Sequence, residues 1–177
     1  GFLQQPFARD QQRQFSRYIL EQMGYDFAAG RLDETAHPFA IGLNPGDVRI
    51  TTAFRADDFT FSLFSSIHEG GHALYEQNVA AHLHGTGLRD GASMGIHESQ
   101  SRLWENVIGR GLPFWQKYYP ELRRHFPGQF DTVSLDDFYR AINEVSSSLI
   151  RIEADELTYN LHIMIRYELE KALFEND

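Results

Sequence analysis

The clearest chemistry in the chain lies in the run His68-Glu69-Gly70-Gly71-His72. On a helix, histidines at i and i+4 project from one face a turn apart, so both imidazoles can reach one metal ion. Glu69, beside the first, can reach water at that metal, which is the arrangement of a zincin. The chain has no cysteine, so thiolate sites and disulfides are excluded, and a tightly held metal must rest on His and carboxylate. A hydrolytic zinc site takes three protein ligands and keeps one position for water. The run His97-Glu98-Ser99-Gln100 offers the third, and the interval from His72 to Glu98 suits a helix, a turn and a returning helix. His97 is the rival ligand. It points about 100° away from Glu98 on a helix, so the two are not expected on one ion; with Glu98 as ligand, His97 lines the site or bonds a neighbour.

Gly70 and Gly71 each cost a helix interior about 1 kcal/mol relative to alanine. Something must repay that, either tight packing of another helix or close approach of a substrate backbone. A third polar cluster follows in IRIEADELTYNLHIMIRYELE, where Arg151, Asp155, Tyr159 (or Thr158), His162 and Arg166 recur at helical spacing among Ile, Leu and Met. Such a stripe predicts a helix face turned toward something polar, although Arg151 and Asp155 alone also fit a plain surface ion pair. Asp47 and Arg49 in DVRIT form a second cation and carboxylate pair of the same ambiguity. There is no GxSxG elbow, no phosphate loop of the GxxxxGK type and no calcium loop.

The elements that must position these residues are mostly helical. Phe7, Phe15, Ile19, Leu20 and Met23 predict an amphipathic helix from Pro6 to Met23, ending at Gly24. GRLDETAHP reads as loop, and HPFAIGL with DVRITTAF reads as a hairpin around Asn44-Pro45-Gly46. Asp57 and Asp58 can cap a long helix that carries the histidines and stops at Gly85. A Gly-rich loop leads to a second helix over IHESQSRLWENVIG, and Pro113 opens a third, interrupted near Pro120. Ser134 and Asp137 resemble a capping box, after which only the serines at 146–148 break the helical texture up to Glu175. The whole predicts a mainly α fold, a zincin-like helical metallopeptidase core with a small antiparallel β element near the active site.

At 177 residues the chain is expected to form a single catalytic domain. A net charge of −9 without a basic run argues against nucleic acid as partner. No stretch approaches the roughly 20 apolar residues of a membrane span, and no secretory leader opens the sequence, so no membrane association and a cytoplasmic location are expected. The sequence starts at Gly1 without Met, and its last helical text carries no stop signal, so both ends read as cuts.

Five runs together, GRLD with HPF at 37–39, DVRITT at 47–52, HEGGHALYEQ at 68–77, GIHESQSRLWEN at 95–106 and IRIEADELTYNLHI at 150–163, resemble the carboxypeptidase Taq family of zinc metallocarboxypeptidases. The resemblance implies that His68, His72 and Glu98 bind one zinc, with cobalt as a possible substitute, and that Glu69 is the general base and acid. It also implies a groove beside a small sheet, peptide substrates with a free C-terminus, and a tendency to homodimerise. Arg49 and Arg151, in the DxRxT and IRxxAD motifs, are its candidates for the substrate's terminal carboxylate, which a guanidinium grips with two parallel charge-assisted bonds. His37, His97, Tyr159 and His162 join them as candidate substrate contacts, and Asp47 and Asp155 as their supports. Family members are longer at both ends and carry a GxxQD motif that is absent here, so the chain is expected to be an internal catalytic fragment in which metal binding survives better than turnover. A zinc endopeptidase or oligopeptidase, and a catalytically silent metal-binding helical module, are the alternatives.

Overall fold

The computed structural model describes residues 1–175. Helix α1 (Arg9–Met23) buries Phe15, Ile19, Leu20 and Met23 along one face and ends at Gly24, whose φ of 99° is a left-handed conformation that favours glycine. Three strands follow, β1 (Gly30–Glu34), β2 (Ala40–Asn44) and β3 (Asp47–Thr52), in the order β1-β3-β2. The expected hairpin is the antiparallel pair β2 and β3. The GRLDE stretch, read above as loop, adds β1 parallel to β3, so the sheet is mixed. Only Leu32 of that edge strand packs on the core, which leaves too faint an alternation to see in the sequence.

Helix α2 (Phe59–Gln77) starts where the Asp58 carboxylate accepts from the backbone N–H groups of Thr60 and Phe61 at 2.9 and 3.3 Å. It buries Phe59, Leu63, Phe64, Ile67 and Ala73 and is the element on which α1, β2 and β3 all pack. It ends at Gln77, short of the expected Gly85, and a separate 3₁₀ turn covers Ala81–Leu83. Helix α3 (Met94–Arg102) returns across α2, then widens into a π-helical turn at Leu103–Ile108 that closes with Gly109 N–H donating to Trp104 C=O at 2.7 Å. The sequence there reads as one plain helix.

Helix α4 (Leu112–His125) runs through Pro120 without a break. Pro120 sits on the exposed side, where the carbonyl that loses its donor can bind water instead. Helix α5 (Leu135–Ile142) begins as expected, with Ser134 Oγ accepting from Asp137 N–H at 3.0 Å. After an irregular segment at 143–150 come a 3₁₀ turn at Arg151–Glu153 and helix α6 (Glu156–Glu175). The core is aromatic: Phe7, Phe59, Phe126, Phe130 and Phe138 pack ring against ring, and buried Trp115 lies edge-on to Phe138. Helix α6 stands outside it, contributing no buried residue among those described. Among the described residues no helix is long and apolar enough to cross a membrane.

Candidate metal centre

Helices α2 and α3 meet at Gly71. A Cβ there would stand 2.7 Å from Ser101 Cα and 2.8 Å from Gln100 O, backbone atoms with nowhere to turn. Gly70 serves the other side, where a Cβ would meet Leu20 and Met23 of α1. Both glycines therefore repay their helical cost through packing, and that packing brings Glu98 over His68 and His72. Glu98 Oε2 lies 3.5 Å from His68 Nε2 and 3.2 Å from His72 Nε2. The three ligand atoms all fall within 4.8 Å of one another.

Two imidazole nitrogens and one carboxylate oxygen converging on one point suit a divalent cation. The outer nitrogens are occupied too. His68 Nδ1 lies 2.8 Å from Glu105 Oε2, and His72 Nδ1 lies 2.7 Å from His97 Nδ1. Glu98 is held on its own helix, its Oε1 accepting from Arg102 Nε at 3.0 Å and its Oε2 from Ser101 Oγ at 3.1 Å. All of the groups that would hold the metal thus have their orientation set by a neighbour.

Charge follows from these contacts. Burial works against a charged His68, but hydrogen bonds to Glu105 and Glu98 outweigh it and push the ring up to about 9. The same hydrogen bonds from His68 and His72 hold Glu98 well below the usual carboxylate range, against its partial burial. Glu69 moves the other way: burial raises its carboxyl group, and the nearby histidines only partly offset that. A carboxyl group raised toward neutrality is suited to taking and returning a proton.

His68, Glu69 and Glu98 open onto a groove of about 680 Å³, a size ordinary for a small-molecule or peptide-terminus site. His37, Arg55, Phe61, Phe64, Arg102, Arg110, Arg151 and Tyr159 line it. Arg151 Nη1 donates to the Tyr159 hydroxyl at 2.5 Å, and the Arg102 guanidinium lies over the Tyr159 ring at 4.3 Å. The structure thus brings His37, Arg151 and Tyr159 to the groove that His68, Glu69 and Glu98 line.

It does not bring the others. Arg49 is an exposed residue of β3, paired through Nε and Nη2 with Asp47 at 2.8 Å, and neither lines the groove. Its neighbours Val48 and Ile50 point into the core, so strand alternation turns Arg49 outward. His97 stands behind His72 and does not line the groove. The polar stripe is also divided. Arg151 belongs to the 3₁₀ turn, and Asp155 precedes α6 as its cap, accepting from Leu157 and Thr158 N–H at 3.0 and 2.9 Å and from Ser146 N–H at 3.0 Å. Only Tyr159, His162 and Arg166 lie on α6, and of these only Tyr159 lines the groove. Asp155 therefore fixes the start of the helix that carries Tyr159.

Sequence reasoning missed Glu105, Glu76, Arg102 and Arg110. The signal was present in part: Glu105 and Arg102 stand seven and four residues beyond Glu98, and Glu76 stands four beyond His72, all spacings that return to the ligand's face of a helix.

A model of the carboxypeptidase Taq (M32) metallopeptidase family matches residues 1–177. The whole chain is 57% identical to carboxypeptidase 1 of Bacillus subtilis (strain 168) and 53% identical to thermostable carboxypeptidase 1 of Thermus thermophilus. It covers 35% and 34% of those proteins, about a third of their length. Among solved structures, the M32 carboxypeptidase from Deinococcus radiodurans R1 superimposes with a TM-score of 0.94 at 51% identity, over 97% of this chain and 34% of that one.

Proposed function

Because the chain belongs to the carboxypeptidase Taq family of metallopeptidases, we propose that it carries the zinc centre of a metallocarboxypeptidase, which hydrolyses the C-terminal peptide bond of peptides with a free carboxylate. Three ligand atoms converging within 4.8 Å beside a buried Glu69 support this reading above all. His68 Nε2, His72 Nε2 and Glu98 Oε2 would hold the cation, with cobalt able to replace zinc. A divalent cation in this set supplies Lewis acidity, making water nucleophilic near neutral pH and polarising a carbonyl.

The chain's own residues do the rest. Glu69 takes a proton from the attacking water at its carboxylate and returns it to the leaving amine. Arg151 grips the terminal carboxylate of the substrate, its guanidinium positioned by the Tyr159 hydroxyl; it is preferred to Arg49 because Arg49 lies outside the groove. His37, on the rim, contacts the peptide. The family resemblance further supports a cytoplasmic, homodimeric whole protein.

The test is hydrolysis of an acyl dipeptide against its C-terminal amide by the zinc-loaded chain. Cleavage of the free acid alone, abolished in Glu69→Gln with zinc retained, is the expected result. Equal cleavage of the amide would move the function to an endopeptidase. Zinc binding without any cleavage would leave a metal-binding helical module.

A further inference from the structure

Behind His72 lies His97, which does not line the groove. His97 Nδ1 is 2.7 Å from His72 Nδ1, and His97 Nε2 is 2.7 Å from Glu76 Oε1. We infer that Glu76 and His97 are positioning residues for the metal, a relay that presents His72 Nε2 to it and ties the centre to strand β2. The inference rests on the metal-site reading above and deepens it.

The direction of the relay follows from what each atom can do. Glu76, as a carboxylate, only accepts, so His97 Nε2 carries the hydrogen and donates to it. With a metal on His72 Nε2, the His72 hydrogen stands on Nδ1, and His97 Nδ1 is the nitrogen that accepts it. Facing Glu98 and His68 Nε2, His72 Nε2 then offers the lone pair that a metal needs, in place of the N–H that hydrogen-bonds to Glu98 when no metal is bound.

The relay is held from outside as well. The Tyr75 ring packs edge-on against His97 with centroids 4.9 Å apart. Gly42 of β2 faces Glu76 so closely that a Cβ there would stand 3.0 Å from Oε2 and 3.2 Å from Cδ and Cγ. A side chain at position 42 would shift the Glu76 carboxylate by a few tenths of an ångström, so the small sheet bears on the contact to His97 although none of its residues is a proposed ligand. The two histidine ligands are thus supported differently, His68 by a carboxylate directly and His72 through an intervening ring.

Zinc affinity, measured by competition with a chromophoric chelator, tests this on the full 177-residue chain in wild-type form and as His97→Phe, Glu76→Gln, Gly42→Val and the double variant His97→Phe/Glu76→Gln. The relay predicts about 10- to 100-fold weaker zinc binding for His97→Phe, the usual cost of removing a ligand's hydrogen-bond partner. Glu76→Gln, nearly isosteric and least able to disturb folding, weakens binding less. The double variant is no worse than His97→Phe, because both act through one chain of contacts. Long-range nitrogen–proton NMR of the zinc-loaded chain should show His97 as the Nε2–H tautomer, a signature that mere packing would not fix. Wild-type chain that binds one zinc while both single variants bind equally tightly overturns the relay and leaves the metal site standing. Wild-type chain that binds no zinc overturns the metal-site reading itself, and the relay with it.

Discussion

Replacing Gly71 by alanine tests how the ligands are brought together. The added Cβ would lie 2.7 Å from Ser101 Cα and 2.8 Å from Gln100 O, where ordinary carbon contacts begin near about 3.5 Å. Neither atom can rotate away, so α3 must retreat from α2 by roughly 0.7 Å, and Glu98 retreats with it. Overpacking of this kind costs about 1–3 kcal/mol, partly offset by the roughly 1 kcal/mol that alanine gains over glycine in a helix. Stability should therefore fall by no more than about 2 kcal/mol in urea unfolding of the metal-free chain. Zinc is far less forgiving, since ligand distances are held to about 0.2 Å, and affinity should drop by about 100-fold or more in chelator competition. Gly70→Ala is the matched control. Its Cβ meets the tips of Leu20 and Met23, which can turn aside, so zinc should bind nearly as in wild type. Gly71→Ala binding zinc within about threefold of wild type, in a folded chain, would refute the claim that this contact sets the ligand spacing.

In the metal-free chain the stabilising contributions of His68 and Glu98 should both be full between roughly pH 4.5 and 6.5. His68 is raised to about 9 when folded, so its contribution is full below its ordinary pKa and is lost as pH rises through about 9, at most about 3 kcal/mol. Glu98 is lowered, so its contribution is full above the ordinary carboxylate pKa and is lost as pH falls; equal urea midpoints at pH 6 and 9.5 would contradict the His68 half of this. Glu105→Gln should weaken zinc binding about 10- to 100-fold, read by the same chelator, because His68 loses its carboxylate partner. Arg151→Ala should lower kcat/KM on a free-acid dipeptide about 10- to 100-fold, the worth of a charged hydrogen-bond pair, while Arg49→Ala should leave it unchanged; the reverse pattern would relocate the carboxylate anchor.

Much of the site is legible in sequence because it depends on helical spacing. His68 and His72 share a face whatever surrounds them, and the interval to Glu98 allowed one returning helix, which α3 is. Asp58 and Ser134 cap the helices they precede. Other features answer to tertiary packing and leave little trace. Strand β1 carries one inward apolar residue, Leu32, and is recruited by β3. The π-helical turn at Leu103–Ile108 follows no local signal, and Pro120 is absorbed because its face is wet. Arg49 and Arg151 are alike in sequence, each near an aspartate, and only the fold turns one outward and the other into the groove. Arg151 and Asp155 matched a helical period that the 3₁₀ turn interrupts. Glu76 and Glu105 lay at readable spacings from the ligands, yet nothing short of the packed helices shows which nitrogen each serves.

Zinc titration of the metal-stripped chain, followed by calorimetry beside Glu98→Ala and His72→Ala, tests the central claim most directly. One zinc per wild-type chain, with binding lost in both variants, is the predicted result. Wild-type chain that takes up no zinc, or variants that bind it as tightly as wild type, would contradict the assignment of His68, His72 and Glu98 as the metal's ligands.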